Sequence, residues 1–283
     1  MPHPLLSLSK IDQGPGNFLN AAGKVFAIFD ERSQDSGNIS YGVEIDGERF
    51  FVKTAGSPGT HHRCLPHADR VALLRNAAQL ARECDHPALP PLRHVIENSL
   101  HGAFLVYDWV DGELIGVPKE RRDDPKSSYQ RFLHLPTEEI IQALGTLYET
   151  HAALAALGWV AVDFYDGSMI YDFEKRRLWL VDLDMYHKGS FTNEMGEMFG
   201  SSRFMAPEEH TSGAVIDERT TVFTMGRAAA VFLSDGTLDR KPFRGPDALY
   251  EVVLHACREN RADRFCFMSE FYSTWNKIVS DLT

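Results

Sequence analysis

A chain of 283 residues, 43% hydrophobic, is long enough to bury real cores and to form one two-lobed unit. Its 40 acids outweigh 29 lysines and arginines, and the formal net charge of −11 argues against nucleic acid or an anionic membrane as the main partner. Cys64, Cys84, Cys257 and Cys266 form no C-x-x-C pair, so a reducing compartment is the default. Leu5-Leu6 is too short for a signal peptide and no segment reaches membrane-spanning length, which together lead us to expect a cytoplasmic protein.

In chain order, residues 1–23 are rich in Pro, Gly, Ser and Asn and read as an irregular lead-in. Lys24 to Phe29 reads as a strand. Ile39 to Ile45 and Arg49 to Lys53 read as a hairpin closed by Asp46-Gly47, the start of an antiparallel sheet. Residues 55–68 form a loop whose His61, His62 and His67 lack ligand-spaced partners and read as solvated. Ala68 to Cys84 is helical by pattern, and Ala103 to Tyr107 is a dense apolar strand running into Asp108-Trp109-Val110-Asp111-Gly112. Residues 118–128 are a mixed-charge solvated loop. Thr137 reads as a helix N-cap, followed by Ile140, Leu144, Leu147, His151 and Leu154 on one face, with His151 a satisfied core histidine. Further helices are expected over Thr220 to Leu233, Leu249 to Cys257 and Glu270 to Val279, after a loop-like stretch at 185–203.

The chemistry concentrates between residues 159 and 184. Met169 to Tyr171 and Leu178 to Val181 read as a tight hairpin around a polar turn. Asp163 lies on its entry and Asp182 on its exit, so the hairpin returns both acids to one edge. One carboxylate orienting a hydroxyl while another holds magnesium is an arrangement for phosphoryl transfer. On these residues alone, a surface hairpin with scattered acids is the other reading.

Four motifs stand in order along nearly the whole chain. Phe51-Val52-Lys53 sits where a phosphate-binding lysine strand would be. Gly158-Trp159-Val160-Ala161-Val162-Asp163 stands in place of G-x-V-H-R-D, and Asp182-Leu183-Asp184 in place of D-F-G. Phe204-Met205-Ala206-Pro207-Glu208 matches the end of an activation segment. In this order and spacing the chain resembles the protein kinase superfamily, in the manner of bacterial Ser/Thr protein kinases with degenerate motifs.

The resemblance implies an α+β, two-lobed, protein kinase-like fold: an antiparallel-sheet N-lobe over 24–110 and a mainly helical C-lobe over 111–283. It implies ATP and magnesium. Lys53 would clamp phosphate, Gly37 and Gly42 stand roughly where the glycine-rich phosphate loop belongs, and the backbone of Asp108 and Val110 would meet adenine. Asp163 would act as base, with Ser201 hydrogen-bonded to it. Asp182 would be the main metal ligand, with Ser168 in place of an asparagine and Asp184 in place of a glycine as further ligands. Arg264 would pair with Glu208. Several positions depart from the family. There is no G-x-G-x-x-G; Ala77 replaces the helix glutamate, Phe51 the small residue over adenine, and Thr221 an acid. Val162 replaces the arginine before the catalytic aspartate, so activation-loop phosphorylation is not the expected switch.

The implied activity is transfer of the γ-phosphate to a hydroxyl on an unidentified protein or small-molecule acceptor, with no nucleic acid or membrane partner. Met205 to Glu208 and Arg264 favour a protein kinase over aminoglycoside- or choline-kinase-like phosphotransferases. A pseudokinase, a nucleotide-binding regulatory module without turnover, is the alternative.

Overall fold

Alternating apolar residues build the first half of the chain and helical repeats the second. The computed structural model describes residues 3–30, 36–59 and 65–282; the expectations for His61, His62 and Cys64 lie outside them. The chain divides into two compact units, Met1–Val110 and Asp111–Thr283. Among the described residues no helix is long and apolar enough to cross a membrane, and seven α-helices accompany a mixed six-stranded sheet.

The first unit contains β1 (Lys10–Ile11), α1 (Pro15–Ala22), β2 (Lys24–Phe29), β3 (Ile39–Ile45), β4 (Glu48–Thr54), α2 (His67–Glu83), β5 (Leu92–Asn98) and β6 (Phe104–Asp108). Sheet order is β1-β5-β6-β4-β3-β2. The β3–β4 hairpin turns at Asp46 and Gly47, both with positive φ (53° and 84°), as a two-residue turn that matches strand twist requires. Two expectations change here. β1 pairs parallel to β5, so the sheet is mixed rather than antiparallel, and the lead-in is not irregular throughout, since it carries β1 and α1. The reason is apolar demand. Tyr41, Val43, Ile45, Phe50, Val52, Phe104 and Val106 line one sheet face at every second position, and Leu5, Phe18 and Leu19 cover it in one buried cluster. On the other face α2 lays Leu74, Ala77 and Ala78 against Ala55, Ala103 and Leu105.

The second unit begins with β7 (Glu113–Leu114), α3 (Ser128–Leu133) and α4 (Thr137–Ala156). Thr137 is the first residue of α4 rather than its cap; Pro136 precedes it. Ile140, Leu144, Leu147, His151 and Leu154 are all buried, as the helical repeat requires. Then come β8 (Trp159–Val160), β9 (Met169–Asp172), β10 (Arg177–Leu180), β11 (His187–Lys188), β12 (Phe191–Thr192) and β13 (Val215–Ile216). Three helices complete it: α5 (Glu218–Leu233), α6 (Asp247–Ala256) and α7 (Met268–Leu282). Asp217 caps α5, accepting from the Arg219 N–H at 3.0 Å. From Thr220 to Leu233 only Arg227 is not fully buried, so α5 is the central rod of this unit.

Candidate active site

β9 and β10 pair antiparallel with Leu178 opposite Tyr171 and Leu180 opposite Met169. Asp172 closes their turn by accepting from the N–H groups of Glu174 (3.0 Å) and Lys175 (2.9 Å), which holds its carboxyl below the usual carboxylate range. At the open end, the Val181 N–H donates to the Ser168 carbonyl at 2.9 Å. The residues flanking this bond are the ones singled out by chemistry.

Asp163 and Asp182 both adopt left-handed backbone, each at φ 59°. Aspartate tolerates that region better than most residues, yet two such positions at the two ends of one hairpin mark a constrained site. Their side chains share an electrostatic environment. Burial, and then the nearby Asp182 charge, raise the Asp163 carboxyl from 3.8 to about 7. The sequence motif therefore becomes a pair of coupled acids, one able to exchange a proton near neutrality.

The surroundings of Asp163 are built from further buried polar groups. Burial lifts Glu209 to about 7, with Glu208 and Asp163 adding like charge. Burial, and then Asp163, push the Tyr186 hydroxyl well above 10. His151 Nδ1 lies 2.8 Å from the Leu147 carbonyl, which only accepts, so that nitrogen carries the proton. Its Nε2, 2.7 Å from the Tyr186 hydroxyl, then accepts from it in the neutral ring. His151 is thus a satisfied core residue that orients Tyr186.

Three contacts fix the loop itself. Thr221 on α5 accepts from the Ala161 N–H at 3.0 Å, so a hydroxyl satisfies the loop amide. Gly200, at φ 143°, lets the chain pass close to Asp163: a Cβ there would stand 3.7 Å from Asp163 Oδ1 and 3.2 Å from Met205. The expected Glu208–Arg264 pair is present, bidentate at 2.7 and 2.9 Å, and Thr220 adds a hydroxyl bond to Glu208 at 2.9 Å.

Ser168 is completely buried, and its Oγ has no hydrogen-bond partner among the described residues. An orphan oxygen beside the bond leading to Asp182 suits an oxygen-seeking cation such as magnesium. Among the described residues no three His, Cys, Asp or Glu side chains form a metal-holding group. Magnesium does not need one, since it keeps waters and phosphate oxygens and takes one or two carboxylates from protein. Asp184 is buried and Asp182 exposed.

Ser201 does not hold Asp163. Among the described residues its hydroxyl donates no hydrogen bond, while its carbonyl accepts from the N–H groups of Phe204 (2.8 Å) and Met205 (3.2 Å), which commits the residue to a turn.

In the first unit, Lys53 is buried on β4 opposite Ser40 and Leu105, on the same sheet face as Phe51. Gly37 has φ 78°. Gly42 is not in a loop. It lies in the middle of β3 opposite Phe51, where a Cβ would meet the Phe26 ring at 2.6 Å and Trp109 at 2.9 Å. Only glycine admits those rings. Phe26 and Trp109 pack edge to face at 4.8 Å, and Phe29 joins Trp109 at 6.5 Å and Phe51 at 5.9 Å. At Asp108 the amide, expected to face a base, donates to the Pro91 carbonyl at 3.1 Å, and the carboxylate pairs with Arg93 at 2.9 Å. Val110 ends this unit.

Sequence reasoning missed Glu209, Tyr186 and the pair Arg203–Asp166. Tyr186 and Arg203 are remote in sequence from His151 and Asp166, and Glu209, though bonded locally to Ala206, owes its shift first to burial, which no spacing signals. No protein-family model matches the chain, and no curated protein matches it in sequence.

Proposed function

We propose that this chain is an ATP- and magnesium-dependent phosphotransferase of protein kinase-like fold that moves a γ-phosphate to a hydroxyl acceptor, most simply a Ser or Thr side chain. The observation that carries the reading is the coupling of Asp163 to Asp182 at the open end of one hairpin, with Asp163 raised to about 7. A base with that affinity can take a hydroxyl proton at neutral pH. The cation, when bound, neutralises phosphate charge; Asp182 and the orphan Ser168 oxygen would hold it, with Asp184 as a further candidate. Lys53, on the sheet of the first unit, is the proposed phosphate clamp.

The test is γ-phosphate transfer from labelled ATP, to a Ser/Thr peptide library or to small-molecule alcohols, by wild type and by Asp163→Asn. The reading expects the variant to lose on the order of a hundredfold to ten-thousandfold in rate. Equal rates for the two proteins would remove it.

One observation favours the pseudokinase reading. Phe26, Phe29, Phe51 and Trp109 gather over Gly42 on the sheet face that carries Lys53, leaving less room there for a purine. Thermal-shift titration with ATP separates the two readings from a third. A shift without transfer supports the regulatory module, and no shift at millimolar ATP, with or without magnesium, counts against both.

A further inference from the structure

The second unit carries arginines to which the proposed phosphoryl transfer gives no role. Arg203 follows closely on Gly200, the residue that lies against Asp163. One terminal nitrogen of its guanidinium pairs with the buried carboxylate of Asp166, and the other donates to the Tyr129 hydroxyl at 3.3 Å. Its Nε is buried and has no hydrogen-bond partner among the described residues. The Arg203 carbonyl accepts from Arg227 Nε at 2.9 Å, which fixes the backbone beneath it.

Arg122 is tied to the same place from the other side. Gln130, next to Tyr129 on α3, donates from Nε2 to the Arg122 carbonyl at 2.6 Å. Among the described residues no carboxylate pairs with Arg122, and its Nε is likewise buried without a partner. Both guanidinium charges act on the Tyr129 hydroxyl, opposing the upward push of burial. Two cations therefore act on one tyrosine, with Asp166 to balance only one of them, in a chain whose net charge is −11. Each guanidinium thus keeps an Nε–H with no acceptor among the described residues, and an oxyanion can accept from such donors.

We propose that Arg122 and Arg203, both acting on Tyr129, form a subsite for an oxyanion, phosphate or carboxylate, carried by the molecule that receives the phosphoryl group at Asp163. The identity of the carrier rests on the phosphotransferase reading; binding of the anion does not.

The experiment is isothermal titration of the full chain with inorganic phosphate at fixed ionic strength, without nucleotide or magnesium, and in parallel with succinate. Wild type should bind phosphate saturably. Arg122→Gln should weaken it by about tenfold or more, the value of a charge-assisted bond, and Arg122→Lys, which keeps charge without the fork, should fall between. Tighter phosphate than succinate assigns the carrier as a phosphate ester, and the reverse order assigns an acidic side chain. The proposal is overturned if wild type shows no saturable binding of either anion, or if Arg122→Gln binds as wild type does. Anion binding that depends on Arg122 in a chain that transfers no phosphate would keep the subsite and remove the phosphotransferase reading.

Discussion

At the residue scale, the partly buried Asp163 and the buried Glu209 are two acids held protonatable near neutrality, and both make stability depend on pH in the same direction. Their folded values of about 7 lie above their ordinary 3.8 and 4.5, so between those limits the folded chain binds more protons than the unfolded one. Stability should therefore fall as pH rises from about 4 to 7 and stay lower above it. Glu209→Gln keeps an oxygen for the Ala206 N–H, now bonded at 2.6 Å, while removing the charge. We expect it to raise stability at pH 8 by on the order of 1 kcal/mol or more and to change little at pH 4, measured by urea titration at the two values. An unchanged difference across pH would show that Glu209 is not raised. Asp163→Asn should behave alike in stability while losing transfer, and wild-type kcat/KM should rise with pH through about 7.

At the element scale, the hairpin of β9 and β10 was readable from its apolar runs and polar turn to within a residue, because strand alternation and turn chemistry are local. The helices α4 and α5 were readable for the same reason, from apolar residues repeating along one face. β1, α1 and β5 were not. Lys10–Ile11 is too short to carry a pattern, and Pro15–Ala22 begins with Pro-Gly, which reads as loop until Phe18 and Leu19 find the sheet face they cover. The same gap hid the role of Gly42, since the rings that require a glycine come from β2 and from Trp109, far away in sequence. Gly42→Ala should force Phe26 and Trp109 aside and cost about 1–3 kcal/mol in chemical denaturation of the first unit; a neutral outcome would mean the rings move freely. Arg264→Ala should cost about 3–5 kcal/mol, because it leaves the buried Glu208 carboxylate without its bidentate partner. A loss below about 1 kcal/mol would mean that Arg261, 3.6 Å from Glu208, takes over the pairing.

At the scale of the whole molecule, an α+β chain in two compact units keeps a coupled pair of acids in the second unit and a buried lysine in the first. The order of motifs was legible in the sequence; the compensations were not. Thr221 supports the Ala161 amide with a hydroxyl, and Gly200 approaches Asp163. Asp182 sits exposed beside a partly buried Asp163, and the proposed magnesium would lie against Asp182. The most direct measurement is binding of Mn²⁺, as a paramagnetic stand-in for magnesium, followed by loss of its free-ion resonance on titrating the chain in the presence of ATP. The account predicts saturable, ATP-dependent binding by wild type that Asp182→Asn weakens at least about tenfold, the loss expected for a charged ligand. Equal Mn²⁺ binding by the two proteins, or none by wild type, would contradict it.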